Sequence, residues 1–119
     1  MYPDRERMEL VELCAKFFER RHPVSRGVTL EGKSGQNWKF DLLVEDSKNG
    51  GRFGVFVRDW KRAVGINQVR RLEKACRDCQ LDGAVLVGNL FGVHAKTHGE
   101  RIGVQVLYRS QIERKLGLF

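Results

Sequence analysis

The sequence predicts a single α/β domain spanning residues 1–119, a mixed β-sheet flanked by helices. Three observations carry that expectation. Alternating apolar runs at 37–46 and 52–60 flank a Ser-Lys-Asn-Gly-Gly tract, the pattern of a β-hairpin. A helix-spaced apolar stripe separates the second run from GAVLVG at 83–88, as a β-α-β crossover requires. The 119 residues suit one modest core.

Taken in order, residues 4–21 read as a helix. Met8, Val11, Cys14, Ala15 and Phe18 recur at helical spacing, Leu10 and Phe17 widen the apolar face, and Glu9, Glu12, Lys16 and Glu19 fall on the wet side. His22-Pro23 ends it, because proline pushes the residue before it out of the α region. A first strand is expected at 25–31, then a turn at Gly32-Lys33-Ser34-Gly35. In NWKFDLLVED, Trp38, Phe40, Leu42 and Val44 are expected on one strand face and Lys39, Asp41, Leu43 and Glu45 on the other. Asn49-Gly50 supplies the positive φ of the hairpin turn, and a third strand runs from about Arg52 to Trp60.

A helix follows at 66–79, with Asn67 read as its N-cap. Its core stripe is Val69, Leu72, Cys76 and Cys79. GAVLVG is the next strand, 91–101 a short helix, 102–107 the last strand, and Ser110 caps a terminal helix SQIERKLGL. The order is α-β-β-β-α-β-α-β-α, with helices on both faces of the sheet.

Lysine and arginine total 22 against 15 aspartates and glutamates, a net charge of +7. Such an excess on a small domain points to a polyanionic partner, because cations displace counterions condensed on phosphate backbones. The excess is clustered. Arg58, Lys61, Arg62, Arg70, Arg71, Lys74 and Arg77 stand against Asp59 and Glu73 within 58–77. Arg70, Lys74 and Arg77 lie opposite the apolar stripe, a positive ridge suited to phosphates, which position nucleic acid without reading sequence. The glycine turn at 32–35 lacks the P-loop pattern and at most presents Lys33 to the same partner.

No apolar run approaches the roughly 20 residues that cross a bilayer, so no membrane partner is expected. The start MYPDRERMEL lacks the apolar stretch of a signal peptide, and a cytoplasmic protein is the expectation. Cys14, Cys76 and Cys79, an odd set on apolar stripes with no second CxxC, read as core thiols. His94 and His98 have no metal-ligand spacing around them and read as surface residues.

The runs "GKSGQNWKFDLLV", "FGVFVRDWKRAVG" and "GAVLVGN", joined by the hairpin and the basic helix, resemble the PD-(D/E)xK nuclease superfamily over about residues 5–115. The likeness is to archaeal Mrr-type restriction endonuclease-like domains and, in layout, to archaeal Holliday-junction resolvases. It implies a restriction-endonuclease-like fold in which two carboxylates and a lysine meet at a split in the sheet. The carboxylates of such a site hold Mg²⁺, which activates water against a phosphodiester. Asp41 matches the family's first aspartate and metal ligand, and Glu9 or Glu12 its auxiliary acid. Gln68 stands where members place a glutamine or tyrosine near the metal. Trp60 is expected to pack at the core or its rim.

Where the family has a carboxylate, an apolar residue and a lysine, this chain has Phe56, Val57 and Arg58. Aspartate, glutamate and lysine sum to −1, whereas Asp41, Phe56 and Arg58 sum to zero, and arginine cannot act as a base. The preferred expectation is that Arg58 pairs with Asp41 where metal would sit. The domain then binds nucleic acid, duplex DNA in the first instance, without a cofactor. An alternative triad of Asp41, Asp59 and Lys61 would make an active Mg²⁺-dependent endonuclease. That triad needs strand three to slip by three residues, and an odd slip inverts its faces unless a bulge intervenes. A third reading is an assembly module without nucleic-acid activity. The resemblance also implies a possible homodimer.

Overall fold

Alternating apolar residues build a five-stranded sheet whose strands stand in chain order. They are β1 (Val24–Glu31), β2 (Asn37–Glu45), β3 (Arg52–Arg58), β4 (Gly83–Gly88) and β5 (Val104–Tyr108). The structure is a computed structural model and describes residues 8–118. β1, β2 and β3 pair antiparallel, and β3, β4 and β5 pair parallel. The parallel steps are crossed by α2 (Ile66–Asp78) and α3 (Val93–Ile102); α1 (Leu10–Glu19) opens the fold and α4 (Arg109–Lys115) closes it. This is the expected mixed sheet between helices. The start of the expected first helix, residues 4–7, lies outside the described residues.

The sheet separates two cores. On one side Phe40, Phe56, Leu72, Ala75 and Leu86 pack with α2 and α3. On the other Leu10, Leu13, Leu42, Val55, Val87 and Ile112 join α1 and α4. Cys14, Cys76 and Cys79 are buried free thiols. Burial pushes Cys14 and Cys76 up to about 12 and raises Cys79, which keeps them protonated and inert.

One expectation is overturned. Trp38, Phe40, Leu42 and Val44 do not share a face: the first two belong to the α2 core and the last two to the α1 core. The switch falls at Asp41. β1 follows β2 with Arg26 opposite Leu42 and Val28 opposite Phe40, while Gly27 between them takes φ +58°, a conformation open to glycine. On the other flank, β2–β3 pairing runs only from Glu45–Arg52 to Leu42–Val55. With neither neighbour holding a regular ladder at Asp41, the strand rotates and its period of two breaks there. Asp41 therefore lies in a seam between β2 and β3 and not on a wet face.

Smaller corrections follow from local chemistry. α2 begins at Ile66 after Gly65, so Asn67 lies inside the helix and does not cap it. α4 begins at Arg109, where the Gln111 side chain accepts from the Tyr108 backbone N–H at 2.8 Å, so Ser110 is no cap. β3 ends at Arg58, short of Trp60, and β5 starts at Val104, past the left-handed Gly103 that ends α3.

The β1–β2 turn is latched to the end of α2. The Asp78 carboxylate accepts from Ser34 Oγ at 2.6 Å, Ser34 N–H at 3.0 Å and Trp38 Nε1 at 2.9 Å, and its carbonyl accepts from Lys33 N–H at 2.9 Å. A Cβ at residue 32 would stand 1.9 Å from Asp78 Oδ2, so glycine is required there by close approach. The Ser34 and Trp38 hydrogen bonds hold the Asp78 carboxyl below its ordinary 3.8. A lowered folded value gives stability that is fully present above the unfolded pKa and lost as pH falls through the folded one. Asp78→Asn should therefore be less stable than the parent at neutral pH, with the difference narrowing below about pH 4. Urea melts across that range measure it.

Candidate functional site

The seam gathers three of the singled-out side chains. Asp41 Oδ2 accepts from the Val57 backbone N–H at 2.7 Å and from Arg58 Nη1 at 3.2 Å. The carboxylate thus stands in for the partner that Val57 lacks on its β2 side, its other side pairing with Val87. Arg58 Nε donates to Gln68 Oε1 at 2.8 Å, tying the end of β3 to the first turn of α2. The guanidinium also lies over the Phe56 ring, 4.5 Å from its centroid. Asp41 and Arg58 side chains are 35% and 21% exposed, so the pair opens to solvent from a half-buried floor. Burial pulls the Arg58 guanidinium below its ordinary value, Asp41 opposes that, and nearby Arg71 adds to the fall.

Asp59, one residue on, has partners of its own. Its Oδ1 accepts from Asn89 Nδ2 at 2.8 Å, and its Oδ2 lies 3.9 Å from Arg109 Nη1. Arg109 is the buried charge at the start of α4, held by Glu113 at 3.1 Å and by the Met8 carbonyl. Lys61 is exposed in the loop after β3. Glu12 pairs with Arg26 on β1. Among the described residues no three histidine, cysteine, aspartate or glutamate side chains gather as metal ligands would.

The basic residues form an apron beside the seam. Arg70, Arg71, Lys74 and Arg77 are exposed along α2, opposite buried Val69, Leu72 and Cys76. Arg77 lies 3.5 Å from Glu73, and Arg71 stacks over Trp38 with 5.3 Å to the ring centroid. Lys33 is exposed on the latched turn. Arg62 lies over Trp60, 4.1 Å from its ring, and Trp60 packs partly buried against the α2 core. His94 and His98 sit on α3.

Asn89 and Arg109 went unnoticed in the sequence. Asn89 follows GAVLVG at the carboxyl end of a parallel strand, where α/β sheets place ligand-side residues, and that position could have flagged it. Nothing local marks Arg109. Two cavities lie elsewhere: one of about 540 Å³ lined by Phe17, Phe18, His22 and Leu107, and one of about 300 Å³ between α2 and the α3–β5 turn. Among the described residues no helix is long and apolar enough to cross a membrane.

No family model and no curated protein matches the chain. Solved structures do. A protein of unknown function, AF1548, superposes with a TM-score of 0.72 at 15% identity, over 82% of this chain and 57% of its own. EndoMS in its apo form gives 0.52 at 20% identity, over 85% of this chain and 46% of its own. The DNA modification-dependent restriction endonuclease AspBHI gives 0.55 at 19% identity, over 96% and 33%. The chain spans between a third and just over half of these structures. The likeness establishes a restriction-endonuclease-like fold.

Proposed function

We propose that this chain is a nucleic-acid-binding domain of the PD-(D/E)xK superfamily, of the Mrr type, whose metal site has become a phosphate-gripping one. The observation that carries this is the Asp41–Arg58 pair in the seam, locked by Gln68. Mg²⁺ needs several hard oxygen ligands in near-octahedral array. Asp41 offers one carboxylate, one of whose oxygens is already shared between Val57 and Arg58. Asp59 and Glu12 are engaged by other partners. This donor set does not suit Mg²⁺. What the seam and the α2 apron offer is fixed positive charge: Arg58 in a preorganised fork with Arg71 nearby, and Arg70 and Lys74 exposed along the same helix as Arg71. Duplex DNA is the partner such an apron fits, through backbone phosphates.

The test pairs fluorescence anisotropy on a duplex with a plasmid-nicking assay in Mg²⁺. The expected result is binding that weakens about 10³-fold between roughly 50 and 200 mM salt, as about six phosphate contacts imply, with no nicking. Mg²⁺-dependent nicking lost in Asp41→Ala and Lys61→Ala would put the active triad of Asp41, Asp59 and Lys61 in its place. Absence of binding at low salt would leave the assembly module.

A further inference from the structure

At the end of β3 and in the loop after it the cations interleave with aromatic rings. Arg62 lies 4.1 Å from the Trp60 centroid, Arg58 lies 5.9 Å from the same ring, and Arg58 covers Phe56 at 4.5 Å. The loop that carries Trp60 and Arg62 is braced. Asn89 Nδ2 donates to the Trp60 carbonyl at 2.9 Å. Val64 N–H donates to the Leu90 carbonyl at 2.9 Å, and Gly92 N–H returns a bond to the Val64 carbonyl at 3.0 Å. The loops after β3 and β4 thus form one edge at the carboxyl ends of the parallel strands. On that edge Leu90 and Val93 stand 54% and 83% exposed, large apolar side chains that folding leaves in water.

A fully paired duplex has little use for such an edge, since its base faces are stacked and hidden. An unstacked base offers a π-face to tryptophan or guanidinium, and its flanking phosphates meet Lys61 and Arg62. Exposed apolar side chains on the adjoining loop can fill the space its neighbours vacate. We propose that Trp60, Arg62 and Leu90 form a stacking edge that takes an unpaired nucleobase, so that the domain prefers DNA opened by a bubble or gap over intact duplex. This deepens the DNA-binding reading and rests on it. The α2 apron supplies affinity for any duplex, and the stacking edge supplies preference for a distorted one.

The experiment compares the whole chain on a duplex with a central unpaired bubble and on the fully paired duplex of the same length, at one salt concentration. The expected result is a bubble preference of about tenfold, the scale of one base–aromatic stack. Trp60→Ala should bring that ratio close to one, and Trp60→Phe should keep most of it. Should Trp60→Ala fail to fold, Leu90→Ser at an exposed position should still lower the ratio. Equal, salt-sensitive binding of both DNAs by the parent overturns the stacking edge and leaves the duplex-binding reading standing. Loss of all binding at low salt overturns both. A dimer in solution that Leu90→Ser converts to monomer, with the ratio unchanged, assigns the apolar edge to a second copy and overturns the proposal.

Discussion

Reversing two charges on the outer face of α2, Arg70→Glu with Lys74→Glu, is expected to weaken duplex binding at least about 100-fold near physiological salt. Both positions are exposed, opposite the buried Val69–Leu72–Cys76 stripe, so the change leaves the core alone. Each lost phosphate contact also lowers the slope of log affinity against log salt by about 0.9, and the pair should lower it by about two. Anisotropy titrations at several salt concentrations give both numbers, with circular dichroism as the check on folding. An unchanged slope would place the DNA on another face.

Asp41→Ala carries the second large effect, and its sign separates the two histories open to this fold. In a working metal site, acidic ligands crowd together; deleting one relieves repulsion and often stabilises the protein at the expense of activity. Here the carboxylate satisfies the Val57 amide and offsets Arg58 in a half-buried seam. Its removal should cost about 2 kcal/mol, an orphaned donor together with an unpaired cation. For a domain of this size that is a fall of about 8 °C in Tm. Asp41→Asn, which keeps an acceptor for Val57, should lose about half as much. Differential scanning calorimetry with and without Mg²⁺ makes the comparison. A Tm that rises in Asp41→Ala, or a parent that Mg²⁺ stabilises, argues for a metal site after all.

Much of the fold was legible because the signals that specify it are short-range. Asn49-Gly50 marks its hairpin within a handful of residues, and Gly50 takes φ +75° as that turn needs. Val69, Leu72, Cys76 and Cys79 announce the buried side of α2 and its crossover by spacing alone. The errors arise where a distant strand decides. The face of Asp41 departs from simple alternation because alternation presumes a regular ladder on both flanks, and at that residue Gly27 and the end of β2–β3 pairing break it. Asn67 looked like a cap because asparagine often is one, yet the chain turns into α2 two residues earlier, at Gly65. The burial of Arg109 depends on Met8, Asp59 and Glu113 converging from three parts of the chain, which no local pattern reports. The Asp41–Arg58 pair was legible because both residues stand on adjoining apolar runs, in FDLLV and FGVFVR, whose ends the hairpin brings together.

β2 is shared property: its first half anchors one hydrophobic layer and its second half the other, with the crossover at a lone aspartate. A descendant that had given up hydrolysis would still be under mechanical pressure to retain an acid at that crossover, because the residue fastens two strands where the sheet comes apart. The presence of that aspartate alone is thus a poor diagnostic of enzymatic competence.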